Sequence, residues 1–191
     1  AQEIFPLDLF LCQTCGGIQL LDVVDPTILY GNYIYETSIS LGLAEHFHRH
    51  VDEVMNYIKP SNGALVVDIG SNDGTLLRFF RGYGMRVLGV EPACNIARRA
   101  TGSGVETLPD FFTAKLADKI KNERGPAAII TANNMFANVD DLADMIMGIR
   151  ELLAPDGVFI LETSYLVDVI QNNLLETIFH EHLSYFTVKP L

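Results

Sequence analysis

Basic residues are scarce in this sequence: 13 Lys and Arg stand against 24 Asp and Glu, a formal net charge of −11. Such a chain repels a phosphate backbone, which argues against nucleic acid as a partner. Cysteine is scarcer still. Three residues cannot build a disulfide scaffold, and two of them, Cys12 and Cys15, form a CxxC pair, so reducing cytoplasm is the simplest compartment. No apolar run approaches the roughly 20 residues that cross a bilayer, so no membrane partner is expected. The first residues, Ala1-Gln2-Glu3-Ile4-Phe5-Pro6, lack the basic region and apolar stretch of a secretory signal. What is present is a chain of 191 residues, 49% apolar, enough for one ordinary domain with its own core plus an appendage.

The chain divides near residue 38. Residues 1–38 hold the CxxC pair followed by Gly16-Gly17, several aromatics and two prolines, and read as short strands and turns. A helix is expected over about 39–59, because Leu43, Phe47, Val51, Val54 and Ile58 fall on one helical face. From 64 onward, strands and helices alternate. Strands are expected at 64–69, 86–90, 105–108, 127–132 and 158–162, with helices at 73–83, 93–100, 111–121, 139–153 and 165–175. Pro155-Asp156-Gly157 is a turn, and 183–188 is a sixth strand. Alternation at this spacing predicts a parallel α/β sheet.

In such sheets ligands bind beyond the C-terminal strand ends. The first of these turns follows Val66-Val67-Asp68-Ile69 and runs Gly70-Ser71-Asn72-Asp73-Gly74. Gly70 permits a tight turn and close approach, and Asp73 is placed to cap the next helix. A dinucleotide fingerprint needs glycine where Asn72 stands, so a pyrophosphate is disfavoured. Acids gather instead: Asp68, Asp73, and Glu91 at the end of the second strand. An acid there, about 20 residues after the glycine turn, accepts hydrogen bonds from ribose hydroxyls. Phe111, with its neighbours Asp110 and Phe112, would lie by the adenine. Asn133 and Asn134 would lie by an amino-acid portion. The combination reads as a Rossmann-like S-adenosylmethionine (SAM) site.

Several stretches together carry a family resemblance: Phe5-Pro6-Leu7-Asp8-Leu9 leading into Cys12-x-x-Cys15, Tyr33-Ile34-Tyr35-Glu36-Thr37-Ser38, the glycine turn, Ala132-Asn133-Asn134, and Phe179-His180-Glu181-His182-Leu183-Ser184-Tyr185-Phe186. In these the sequence resembles the SAM-dependent C-methyltransferases that act on nucleotide-linked 4-keto deoxysugars. The resemblance implies a partial zinc-binding and substrate-capping domain over 1–38. It also implies a methyltransferase domain over 39–191, incomplete before the final edge hairpin of a sheet that ordinarily has seven strands. It implies a small-molecule nucleotide-sugar substrate. The chemistry is removal of an acidic proton beside a ketone, then attack of the enolate carbon on the SAM methyl. His182 is the expected base, Glu181 its companion acid, and Tyr35, with Tyr33 beside it, reaches the sugar from the N-terminal part. Two positions depart from the family: Phe179 stands for a tyrosine, and Asn138 for a histidine.

Cys12 and Cys15 are expected zinc ligands, but a structural site needs four, and Cys94 reads as core. His46, His48 and His50 read as solvated helix residues. Two other functional classes remain open. One is a SAM-binding fragment or partner subunit without turnover of its own, and the other is methyl transfer to oxygen or nitrogen. The sequence does not specify an oligomeric state.

Overall fold

The computed structural model describes residues 4–31 and 33–188. The chain opens with two short strands, β1 (Leu9–Leu11) and β2 (Ile18–Leu20), and a five-residue helix, α1 (Pro26–Tyr30). The amphipathic helix is α2 (Leu43–Ile58), followed by β3 (Leu65–Ile69), α3 (Thr75–Gly82), β4 (Arg86–Val90), α4 (Cys94–Gly102), β5 (Thr107–Leu108), α5 (Ala114–Arg124), β6 (Ala127–Asn133), α6 (Leu142–Leu152), β7 (Leu153–Glu162), α7 (Leu166–Gln171) and β8 (Ser184–Tyr185).

The central sheet has the order β5-β4-β3-β6-β7 with every pair parallel. All five residues of β3 are buried, because both of its faces are covered. Val66 points into a cluster with Phe47, Val51, Leu76, Leu77 and Phe80 of α2 and α3. Its neighbours Leu65, Val67 and Ile69 point the other way, to Leu116, Ile120, Met145 and Ile149 of α5 and α6. The strand order reverses between β3 and β6, so the turns after β3, β4 and β6 converge at the crevice where ligands bind in this architecture. The expected α/β class, with a Rossmann-like parallel sheet, is the observed one.

Three expectations need correction. The segment expected as a sixth strand of this sheet supplies only β8, which pairs antiparallel with β2 in a separate sheet ordered β1-β2-β8. The reason lies just before it: Leu183 donates its N–H to Ala137 and its carbonyl accepts from Leu20, which turns the chain toward the N-terminal strands. Pro155-Asp156-Gly157 does not precede β7 but bulges within it. Ala127 pairs with Leu153 and Ile129 with Val158, so four residues of β7 face one of β6. Helix α1 was not expected. Asp25 starts it by accepting Thr27 N–H at 2.8 Å, with Pro26 in its first turn.

Gly70 has a φ of 72°, and a Cβ there would lie 2.8 Å from Cγ of Met135. The close approach is therefore made by Met135, in addition to any ligand. Gly70→Ala is expected to lower stability by about 2–4 kcal/mol, combining left-handed strain with overpacking. Met135→Ala in that background is expected to recover part of the loss. Urea unfolding of the two single variants and the double variant checks this, and additivity would refute the contact.

Candidate active site

The turn after β3 is held open by three left-handed residues: Gly70, Asn72 with a φ of 48° and Gly74 with a φ of 78°. Asparagine tolerates this conformation better than most side chains. Gly70 and Ser71 donate backbone N–H groups to the carbonyl of Val90 at 2.8 and 3.1 Å, which fixes the turn against the end of β4.

Glu91 follows β4 and is 5% exposed. Its Oε2 accepts the N–H of Asn72 at 3.0 Å, and its Oε1 accepts that of Ala93 at 2.9 Å. Burial raises its pKa, against the pull of those two amides. Each carboxylate oxygen has room for a second hydrogen bond, which is what two vicinal hydroxyls of a ligand require.

The side chains of Asn72 and Asp73 have a task that sequence reading did not assign. Asn72 Oδ1 accepts the N–H of Thr37 at 2.8 Å and that of Asp73 at 2.9 Å, while its Nδ2 donates to the carbonyl of Tyr35 at 3.0 Å. Asp73 Oδ2 accepts the N–H of Ser38 at 2.9 Å. Its Oδ1 accepts from Thr75, through the amide at 3.0 Å and the hydroxyl at 2.6 Å, at the start of α3. Burial opposes ionisation of Asp73, but the Thr75 and Ser38 hydrogen bonds outweigh it and hold the carboxyl below its usual range. The turn thus ties segment 35–38 down over itself.

Asp68 is placed differently from the other acids. It is 4% exposed, and its Oδ1 accepts the Thr131 hydroxyl at 2.7 Å across to β6. Burial pushes its pKa up to about 7, with Glu91's charge adding to the rise.

A cavity of about 330 Å³ opens over these turns, within the range of small-molecule sites. Gly70, Asn72, Glu91, Phe111 and Asn133 line it, and so do Tyr33, Tyr35, His180 and Glu181 from the N-terminal and C-terminal segments. Both amide atoms of Asn133 are buried and unpartnered among the described residues. Among the described residues the lining includes the carboxylates of Glu91, Asp110, Asp140, Asp141, Asp144 and Glu181 but no Lys or Arg. Tyr33 donates its hydroxyl to Glu181 Oε2 at 3.4 Å, and burial together with that carboxylate pushes the Tyr33 pKa up to about 12. The Tyr35 hydroxyl is engaged with Ser40 at 2.8 Å. His182 turns its ring onto Phe179, with centroids 4.1 Å apart, and Nδ1 lies 2.8 Å from the carbonyl of Thr177. A carbonyl only accepts, so Nδ1 is the donor in this contact and Nε2 is the nitrogen it leaves uncommitted.

Sequence reading missed Tyr30, which lines the cavity with a buried hydroxyl that has no hydrogen-bond partner among the described residues. Asp25-Pro26 was the available signal for the helix that carries it. His180 was seen only as part of the His-Glu-His stretch. The histidines of α2 are also less solvated than expected. His46 Nε2 is 2.6 Å from Glu162, whose other oxygen accepts the Asn134 amide at 3.0 Å, and His50 Nε2 is buried. Helix α2 turns that face toward the end of β7. His48 stacks on Phe79, with centroids 5.0 Å apart.

Cys12, Cys15 and Cys94 are all free thiols, and Cys94 is exposed, not core. Backbone amides of Cys15 and Thr14 pull the Cys12 thiol down to about 7. Among the described residues no group of three or more His, Cys, Asp or Glu side chains could hold a metal. Cys12 and Cys15 supply two thiols, half of the donors a tetrahedral zinc site needs. No described helix is long and apolar enough to cross a membrane.

Asp68 gives a pH signature. Because its pKa is higher in the folded chain, the folded state holds the proton more tightly, and this acid reduces stability as pH rises from about 4 to about 7. Asp68→Asn keeps an acceptor for Thr131 and cannot ionise. Its Tm is expected to gain steadily on the wild type from pH 5 to 7.5. A constant difference over that range overturns the assignment.

The family described as "Methyltransferase domain" matches residues 43–191. The C-methyltransferase NovU of Streptomyces niveus is 40% identical over 190 residues, covering 100% of this chain and 45% of that protein. The chain therefore spans a little under half the length of this curated relative. Among solved structures, the PH0226 protein of Pyrococcus horikoshii OT3 aligns with a TM-score of 0.58 at 20% identity, covering 80% of this chain and 65% of that one. The plantazolicin methyltransferase BpumL, solved with a desmethylPZN analog and SAH, aligns at 0.57 and 9% identity, covering 76% and 56%. These two likenesses bear on the fold alone. With most of its length matched by the family and its parallel sheet shared with these structures, the chain belongs to the methyltransferase-domain family.

Proposed function

We propose that this protein is a SAM-dependent C-methyltransferase acting on a nucleotide-linked keto-deoxysugar. The observation that carries the reading is a single cavity with two unlike walls. One wall has a hydroxyl-accepting acid at the end of β4. The other has tyrosines, Glu181 and His180 from the chain's two ends. Bound SAM supplies an electrophilic methyl on a cationic sulfur. Glu91 accepts the two ribose hydroxyls with its remaining lone pairs, Phe111 covers the adenine, and the unpartnered amide of Asn133 takes the amino-acid end. The acidic lining favours a ligand carrying sulfonium and ammonium groups.

On the acceptor side, His182, which adjoins the lining residue Glu181 without itself lining the cavity, is the base: its Nε2 removes the proton from the carbon beside the ketone. The C–H electron pair moves into the carbon–oxygen unit as an enolate. The enolate carbon then bonds to the methyl as the sulfur–carbon bond breaks, leaving the ketone and a neutral thioether, S-adenosylhomocysteine. Glu181, held by the Tyr33 hydroxyl, orients the sugar, and the Tyr35 ring covers it. The segment over 1–38 acts as the cap of the methyltransferase domain over 39–191, pinned by Asn72 and Asp73.

With no Lys or Arg among the described lining residues, the cavity admits the sugar ring and leaves the diphosphate outside. That supports a second reading, SAM binding without independent turnover. Methyl transfer to a keto-sugar nucleotide by this 191-residue chain alone excludes it.

Calorimetric titration with S-adenosylhomocysteine is expected to give one site per chain. Glu91→Gln, which turns one acceptor oxygen into a donor facing a backbone N–H, is expected to weaken binding at least about tenfold. Absence of binding by the wild type sinks the proposal. His182→Ala is expected to bind S-adenosylhomocysteine normally and to lose methyl transfer by about 10²–10⁴-fold. Full activity in that variant favours transfer to oxygen or nitrogen, where no carbon acid is deprotonated.

A further inference from the structure

Several buried polar atoms of the cavity have no hydrogen-bond partner among the described residues. Besides the amide of Asn133 they are the hydroxyl of Tyr30, Oδ1 of Asn138 and Nδ1 of His180. All three residues line the same cavity. They come from three distant parts of the chain: the end of α1, the turn after β6 and the segment before β8. A buried polar atom left without a partner costs about 1–3 kcal/mol, so three in the lining of one cavity point to a ligand that satisfies them.

We propose that Tyr30, Asn138 and His180 form the subsite that holds the acceptor's ketone oxygen and the hydroxyl beside it, with Tyr30 donating to the oxygen as it becomes an enolate. This rests on the reading of the protein as a keto-sugar C-methyltransferase. Tyr30 stays a donor throughout the working pH range, because burial and the nearby carboxylate of Glu181 raise its pKa far above that of a free phenol. The Asn138 amide lies close enough to the Tyr30 hydroxyl to pull its pKa down a little against the rise, yet no hydrogen bond of good geometry joins the two, and Asn138 Oδ1 is left to accept from a hydroxyl of the same ligand. The ring of His180 stands edge-on to Phe5, with centroids 6.2 Å apart, and its buried Nδ1 has no partner among the described residues. A hydroxyketone offers the matching set: an acceptor oxygen for the phenol and an O–H for the amide.

The test is Tyr30→Phe in the full-length protein, with a thymidine-diphosphate-linked 4-keto-6-deoxyglucose as the probe. Two rates are followed: methyl transfer with SAM, and deuterium uptake at the carbon beside the ketone with S-adenosylhomocysteine bound. Both are expected to fall about 10²–10³-fold, as when one donor to a developing oxyanion is removed. Affinity for S-adenosylhomocysteine should stay within about twofold of the wild type. The Tm should be unchanged or higher, since the substitution deletes an unpartnered buried hydroxyl, whereas a purely structural tyrosine would lower it. Should the variant fold poorly, Asn138→Ala is measured in the same way and is expected to raise KM for the probe about tenfold. Wild-type rates in Tyr30→Phe, or an unchanged KM in Asn138→Ala, overturn the subsite. If the wild type neither exchanges nor methylates the probe while binding S-adenosylhomocysteine, the keto-sugar reading falls and the subsite falls with it.

Discussion

The arrangement depends on one asparagine. Asn72 sits in a left-handed conformation, gives its N–H to Glu91, and uses its side chain to hold Thr37 and Tyr35. Three regions far apart in sequence meet at its few atoms: the turn after β3, the acid after β4 and the segment leading into α2. A glycine at this position would adopt the same backbone more cheaply but would release the N-terminal segment. The cost of placing a side chain in a left-handed turn is thus offset by the cap it holds. Asp73 adds to this by accepting Ser38 while it starts α3.

This coupling has a consequence for geometry. Tyr33 and Tyr35 lie just before the tethered Thr37 and Ser38, and Tyr30 lies one helix end earlier. Their position over the cavity is therefore indexed to the turn that would hold the cofactor. The other end of the chain closes the same site. Leu183 is hydrogen-bonded to Ala137 and to Leu20, so the segment carrying His180 and Glu181 is stitched to both the central domain and the N-terminal strands. A methyl donor and a carbon acid react only when held within a fraction of an ångström of the productive line. Ties from both ends to the same strand-end turns are one way to provide that.

Much of the sheet was legible in the sequence because periodicity is a local signal. β4 falls at the residues expected, and β3 reads as buried on both faces because every position but Asp68 is apolar. What failed was non-local. Nothing within residues 183–188 says which of two sheets they join, because the choice is made by carbonyl and amide partners more than forty residues away. The tethering by Asn72 was hidden for the same reason, since its partners are backbone groups and those carry no residue signature. For the candidate site, Glu91 and the turn were readable from spacing, while Tyr30 was not, because its significance is a lack of partners that only three dimensions reveal. The placement of the two histidines was likewise not legible: His180 lines the cavity, whereas His182 lies against Phe179 with Nδ1 on the carbonyl of Thr177, which leaves Nε2 for the proposed role of base.

The surplus of acid fits the same geometry. Six carboxylates line the cavity without a Lys or Arg among the described lining residues, and Asp68 lies buried behind it. Burial raises the pKa of both Asp68 and Glu91, which marks a place where negative charge is held at a cost. A neutral or anionic ligand would leave that cost standing or increase it. A cation seated among these groups stabilises their charged forms, so binding and ionisation favour one another. In the proposed reaction, transfer of the methyl removes the positive charge from sulfur and weakens that attraction, so the lining would hold the donor more tightly than the thioether it becomes. On that proposal the field that favours a sulfonium also favours departure of the spent product.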